Sequence, residues 1–268
     1  MSELRQHERL QLSAGCGVRG TAGRRLAAAA LALALGALSA GCISVDLFGD
    51  ARAPLEETVV QGRSGPKILL VEVDGLIDDD TLRDPLFGHD RPGMVSRTRE
   101  ALDRARRDDE VRALLLRIDS PGGTATASEQ IHTEILRFAR ERDVPVVAQL
   151  LSTATSGGYY VAMAADHVQA HPTTVTGSIG VVFSSLSVAG LMEKLGVENQ
   201  SVRAGEHKEA ASPFRRMSDE QRAQIQGIVD GLHARFREVV ARGRPALSPE
   251  RIAELSDGRL YSAPQALE

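Results

Sequence analysis

The stretch Val144-Pro-Val-Val-Ala-Gln-Leu-Leu-Ser-Thr-Ala-Thr-Ser-Gly-Gly-Tyr-Tyr-Val-Ala162 carries the reading of the fold. Its first part, to Leu151, is an apolar run of strand length, and Val161-Ala-Met-Ala-Ala165 beyond it is a small-residue stretch that reads as helix. Ser156 therefore sits on a strand-to-helix turn. Two glycines directly after it let the backbone pass closely and leave room for a substrate carbonyl, the steric requirement of a nucleophile turn. The same position also suits an ordinary helix N-cap serine.

Outward from this turn, strands and helices alternate. Lys67-Ile-Leu-Leu-Val-Glu-Val73 is a mostly apolar strand of the kind buried in a parallel sheet, and Val111–Ile118 is another. Residues 78–92, rich in Asp with Pro85, Gly88 and Pro92, read as a loop, and 94–107 as a helix with a basic outer face. A helix over about 126–141 carries Ile131, Ile135 and Phe138 at helical spacing, and His167–Ala170 reads as a short strand. Ser218-Asp-Glu-Gln221 is a capping box. After it Ile225, Ile228, Val229, Leu232, Phe236, Val239 and Val240 form one apolar stripe, suited to a core or to a subunit boundary. The order predicts an α/β domain of βαβ units with right-handed crossovers. No internal repeat is visible.

Two further segments bear on Ser156. Upstream, Leu114-Leu-Leu-Arg-Ile-Asp-Ser-Pro-Gly-Gly123 is a strand ending in a Pro-Gly-Gly turn; downstream, Gly205-Glu-His-Lys208 puts a lysine in a loop. Each has a plain reading as a turn or a solvated surface lysine. A serine hydroxyl is a weak nucleophile at neutral pH, so a base must take its proton as it attacks a carbonyl, and a lysine amine can do so when neutral. Glu206 and Glu209 flank Lys208 and would favour its ammonium form, so both are expected to point to solvent.

Asp119-Ser-Pro-Gly-Gly123, Ser156-Gly-Gly-Tyr-Tyr160, Thr176-Gly-Ser-Ile-Gly-Val181 and Gly205-Glu-His-Lys-Glu-Ala-Ala-Ser-Pro-Phe214 together resemble the signal peptide peptidase A (protease IV) family, the Ser/Lys-dyad peptidases of family S49. The four motifs keep the family's order and spacing over most of residues 67–268. The resemblance implies a ClpP/crotonase-like spiral, with Ser156 as nucleophile, Lys208 as general base and Gly123 as an oxyanion-hole donor. In the same pattern Ser178 orients the lysine, and the Gly157 amide is a second candidate donor. It also implies hydrolysis of cleaved signal peptides or other short apolar peptides, with no cofactor. Relatives of double length draw serine and lysine from different modules, so a single-module chain is expected to form a ring-shaped homo-oligomer with a shared site. A catalytically silent scaffold of the same fold, binding membrane proteins, is the alternative; an acyl-CoA enzyme of the related crotonase group is a third reading. The last motif, Gly258-Arg-Leu-Tyr-Ser-Ala-Pro-Gln-Ala-Leu-Glu268, resembles a family segment that normally runs on into a last helix, so the peptidase domain reads as truncated at its C-terminus.

A Ser/His/Asp triad is the rival chemistry, with His167, His171 and Asp166 nearest in sequence and His207 beside Lys208, but none of them lies in a motif. No His-Glu-x-x-His or Cys-x-x-Cys spacing suggests a metal, and no Gly-x-Gly-x-x-Gly or Walker loop suggests a nucleotide.

At the N-terminus, Arg24-Arg25 precedes an apolar run, Leu26–Leu38, and then Ser39-Ala-Gly-Cys42, the charged, apolar and small-residue regions of an export signal. The small residues before Cys42 resemble a bacterial lipobox, which would make Cys42 the lipid attachment point. The rival is an uncleaved signal anchor, since residues 26–45 are uncharged and about twenty residues at ~1.5 Å each just span a bilayer. Either form places the body in the cell envelope, extracytoplasmic and membrane-anchored, on the periplasmic side in a Gram-negative cell. The organisation is thus 1–42 signal, 43–66 linker with Pro54, Gly62, Gly65 and Pro66, and 67–268 peptidase domain.

Composition fits this layout. Residues 1–41 hold five arginines and two glutamates of the chain's 32 basic and 36 acidic residues, which leaves 27 basic and 34 acidic, net −7. That balance argues against nucleic acid as a partner. Cys16 and Cys42 are the only cysteines, so no disulfide can staple the body, and a chain without Trp must build its core from Leu, Ile, Val and Ala.

Overall fold

The computed structural model describes residues 57–268 apart from 63, 81 and 84–89, and the structural statements below concern those residues. The export signal, Cys42 and most of the 43–66 linker lie outside them. The elements are β1 (Lys67–Ile77), β2 (Leu82–Arg83), β3 (Asp90–Arg91), α1 (Met94–Arg106), β4 (Val111–Gly123), α2 (Ala125–Arg142), β5 (Val146–Thr155), α3 (Gly157–Ala162), β6 (His167–Ala170), β7 (Val175–Gly177), α4 (Ala189–Leu195), α5 (Asp219–Gly243), α6 (Pro249–Leu255), β8 (Leu260–Ser262) and α7 (Ala263–Leu267). The expected loop at 78–92 thus contains a small antiparallel pair, β2 with β3. The arrangement is a mixed α/β domain with a mostly parallel sheet.

Among the described residues the main sheet runs β1-β4-β5-β7-β8, with β6 pairing the first half of β5 and β7 the second half. All pairings are parallel except β7 with β8. Leu114, Leu116, Ile118 and Ser120 of β4 are fully buried and alternate with half-buried neighbours, the period-two pattern of a strand with one covered face. Each such leucine or isoleucine contributes roughly 2 kcal/mol of burial. The apolar run Lys67–Val73 suggests a strand covered on both faces, and the structure corrects this. Val71 and Val73 are buried under α1, whereas Ile68 is 67% exposed, because β1 is the end strand and its other face is open.

The helices form where the spacing puts them. Thr124 caps α2 by accepting the Ala127 N–H at 3.2 Å, and Asp143 closes it in a left-handed conformation at φ 50°. Ile131, Ile135 and Phe138 are fully buried, and Arg99–Glu134 and Arg106–Glu141 pairs join α1 to α2. The capping box opens α5: Ser218 Oγ accepts the Gln221 N–H and the Gln221 side chain accepts the Ser218 N–H, both at 3.2 Å. The stripe on α5 is split. Phe236, Val239 and Val240 enter the core, while Ile228 is 61% and Leu232 40% exposed.

His132 of α2 is buried against the edge of the Tyr160 ring, 5.4 Å between centroids, with its Nδ1 unpaired. Burial lowers its pKa from 6.5 to about 4; Glu129 opposes that shift, and Arg235, Arg242 and Arg140 add to it. The folded state binds the proton less readily than the unfolded chain. His132 therefore costs nothing above about pH 6.5 and destabilises the fold progressively as pH falls toward 4. At 1.36 kcal/mol per pH unit the loss approaches roughly 3 kcal/mol. Urea titrations at about pH 7 and pH 4 should show His132→Leu losing less stability than wild type by about this amount; equal losses would show that other groups govern acid unfolding.

Candidate functional site

The parallel strands β4, β5 and β7 end side by side at Gly123, Thr155 and Gly177, and the candidate residues gather at these carboxyl ends, where open α/β sheets place their crevices. Ser156 follows β5 at φ 50° and ψ −119°, outside the extended region that an ordinary N-cap residue adopts, and its side chain makes no cap hydrogen bond. The N-cap reading of Ser156 therefore fails on geometry. A non-glycine residue at positive φ stores strain of about 1–3 kcal/mol, and such strain is kept where a turn must aim a side chain. The Ser156 N–H donates to Gly177 O at 2.9 Å, and the half-buried Oγ makes no hydrogen bond among the described residues.

Beside Ser156 the glycines form a cradle with no room for side chains. Gly122 sits at φ +104°, and a Cβ there would lie 2.7 Å from Gly157 N and 2.8 Å from Ser156 Cβ. A Cβ on Gly157 would meet Ser128 Oγ at 2.3 Å and Gly123 N at 3.2 Å, so the two amides assigned to an oxyanion hole are neighbours. Ser120, fully buried, braces the turn by donating to Gly75 O at 2.6 Å and accepting the Gly122 N–H at 3.0 Å. Thr155 Oγ1 donates to Pro121 O at 3.1 Å and ties this turn to β5.

Ser178 follows Gly177, the register partner of Thr155, so the two serines leave adjacent strand ends next to each other. Ser178 also has positive φ, 52°. Its N–H donates to Arg259 O at 2.8 Å, and a Cβ on Gly177 would strike the Tyr261 ring at 2.5 Å. The C-terminal motif seen in the sequence, Gly258-Arg-Leu-Tyr261, is thus the antiparallel strand that holds the Ser178 turn.

Lys208 is the residue the chain does not bring in. It lies in a run of turns after Gly205 and is exposed, its ammonium has no hydrogen bond or ion pair among the described residues, and no hydrogen bond joins it to Ser156. Glu206 is exposed as expected; Glu209 is a correction. Its carboxylate is half-buried and meets Arg203 at 3.0 Å and Arg215 at 3.5 Å. Desolvation opposes its ionisation, but hydrogen bonds from Arg203, Ser201 and Arg215 outweigh that and hold its carboxyl below the usual range. Its charge is thus spent on arginines instead of on Lys208. Of the rival groups, Asp166 accepts the Val146 N–H at 2.8 Å, His171 meets Thr173 at 2.8 Å, His167 is exposed and His207 lies 4.0 Å from Glu220. None of them bonds to Ser156. Ser120 and Ser128 are site residues that the sequence reading passed over; the signal for Ser128 is a polar residue one turn before Ile131 on the buried face of α2.

The sequence model described as Peptidase family S49 matches residues 139–268, the part that holds Ser156, Ser178 and Lys208. The chain belongs to this family. Among similar proteins is a candidate signal peptide peptidase SppA of Enterococcus faecium, 37% identical over 222 residues, which are 83% of this chain and 63% of the relative. Protease 4 of Salmonella typhi is 31% identical over 205 residues, 76% of this chain and 31% of its own length. The chloroplastic serine protease SPPA of Arabidopsis thaliana is 33% identical over 168 residues, 62% and 24%. The S49 chain thus spans less than two thirds of the length of each of these relatives.

Proposed function

We propose that this S49 chain is an extracytoplasmic, membrane-associated serine endopeptidase that hydrolyses cleaved signal peptides or other short apolar peptides. The observation that carries this reading is the strained Ser156 turn, uncapped and set against the Gly122–Gly123 and Gly157 backbone. In the reaction Ser156 Oγ attacks the scissile carbonyl carbon while the neutral amine of Lys208 takes the hydroxyl proton. The carbonyl oxygen becomes an oxyanion facing the Gly123 and Gly157 amides, each worth about 3–4 kcal/mol in related chemistry. The C–N bond then breaks as the lysine ammonium returns the proton to the leaving amine, and water hydrolyses the acyl-serine by the same route. Ser178 holds the amine. Since Lys208 has no bond to Ser156 within one chain, a neighbouring subunit supplies it in a ring with the spiral architecture that the motifs suggest. A serine-directed fluorophosphonate tests the reading: it should modify Ser156 of the oligomer and block cleavage of apolar peptides, whereas an unmodified, inactive protein would favour the scaffold.

Attachment rests on residues 24–45, because among the described residues no helix is long and apolar enough to cross a membrane. We assign Cys42 as the lipidated first residue of the mature chain. A fatty-acid label should enter wild type and not Cys42→Ser; a mature chain that starts upstream of Leu26 without lipid would establish the signal anchor instead.

A further inference from the structure

A helix of one and a half turns has little stability of its own, so the orientation of α3, and with it the Ser156 turn at its start, is set by what grips it. Gly157 and Gly158 offer no side chains for this. Tyr159 meets Arg244 only through its ring, 5.8 Å from the guanidinium carbon to the centroid; the side-chain hydrogen bond from this helix comes from Tyr160, whose N–H closes the first turn onto Ser156 O at 2.9 Å. Its ring is buried between His132 and Phe236, and its hydroxyl donates to Glu129 Oε2. The same carboxylate accepts Arg235 Nη2 on Oε1 at 2.7 Å and Arg235 Nε on Oε2 at 3.3 Å. One side chain therefore joins three helices: α2, which begins directly after the Gly123–Thr124 turn; α3, which begins after Ser156; and α5.

We infer that Glu129 is a positioning residue that acts through Tyr160 on Ser156 and fixes where the serine stands relative to the Gly123 and Gly157 amides. This rests on the reading of Ser156 as nucleophile. The Glu129 and Arg235 side chains are 33% and 38% exposed, and a pair so open to water adds little to stability. What it provides is direction. A shift of about 1 Å at a reacting group can cost roughly 100-fold in rate, so a tether that stabilises the fold weakly can still govern reactivity.

The test uses the full chain with Tyr160→Phe, Glu129→Gln, Arg235→Met and the double variant Tyr160→Phe/Glu129→Gln. Arg251→Met serves as control, since it removes only the surface pair with Glu254. Two quantities are read: the second-order rate of fluorophosphonate modification of Ser156, and kcat and KM on an apolar peptide, each well below the melting temperature of the variant. Roughly 10- to 100-fold lower modification rate and kcat are expected at a KM within about twofold of wild type. The double variant should be no slower than the worse single one, because both break the same tether, and Arg235→Lys should recover part of the Arg235→Met loss. The control should match wild type. Modification rates within about twofold of wild type for Tyr160→Phe and Glu129→Gln would overturn the inference, as would losses that only track lowered melting temperatures. A wild type that does not react at Ser156 would overturn the nucleophile reading and this inference with it, whereas a reactive wild type with unaffected variants overturns the inference alone.

Discussion

Ser156→Ala should lose peptide hydrolysis by roughly four to six orders of magnitude in kcat while its melting temperature stays close to that of wild type. The two halves of this result have separate causes. Activity goes because the attacking oxygen is gone. Stability stays because the Ser156 Oγ makes no hydrogen bond among the described residues, and the backbone bond from its N–H to Gly177 O remains. Ser156→Gly sharpens the point. It removes the strain of φ 50° and should melt higher, by about 1 kcal/mol of stability, with equally little activity. A stabilised and inactive glycine variant is what a strained nucleophile turn predicts, whereas an ordinary cap would lose roughly a few tenths of a kcal/mol on replacement by glycine and about 1 kcal/mol by alanine. Lys208→Ala should lose comparable activity without loss of stability, since its ammonium has no partner among the described residues. Near wild-type turnover by Lys208→Ala would turn attention back to the histidines.

How much of this was legible before the structure differs along the chain. The apolar run announces β5, which continues past Leu151 to Thr155, but the helix forms earlier than the stretch 161–165 suggests, at Gly157–Ala162, so the two glycines lie in its first turn and the serine alone makes the bend. Spacing could equally place Ile131, Ile135 and Phe138 in the core, because a helix of fixed pitch leaves one solution for residues four and three apart. Solvent exposure of one sheet face was not legible at Ile68. A run of apolar residues specifies a strand but does not say whether a second layer covers it. Likewise, nothing in the neighbourhood of Glu209 announces Arg203 and Arg215 as its partners, since that pairing depends on how the turns after Gly205 fold. The short β7 and β8 strands, which align Ser178 with Ser156, escaped a reading by periodicity because three residues carry too little pattern. The φ of Ser156 was also out of reach: its sequence fits a cap and a nucleophile turn alike, and the backbone angle separates them.

Inactive Ser156→Ala and inactive Lys208→Ala, mixed in equal amounts under conditions where subunits exchange, should regain about a quarter of wild-type activity. The fraction follows from random assortment: a shared site is whole only where the serine comes from a Lys208→Ala chain and the lysine from a Ser156→Ala neighbour. If both groups came from one chain, no mixture could restore a site. The surface between β7 and α5 gives the physical reason to expect assembly. Val182, Leu186, Leu195 and Val202 are 83%, 84%, 68% and 100% exposed, and α4 buries no residue at all. An apolar segment of this length gains nothing by facing water, and the exposed half of the α5 stripe, Ile228 and Leu232, adds to the same need for a cover. The Lys208 turns follow this segment directly, so contacts that bury it against a neighbour would also order the lysine loop relative to that neighbour's Ser156. A ring of such contacts would enclose its sites and would admit extended peptides in preference to folded proteins. A fully active monomer in sedimentation, or mixtures as inactive as their components despite proven exchange, would reject the shared site and require Lys208 to reach Ser156 within its own chain.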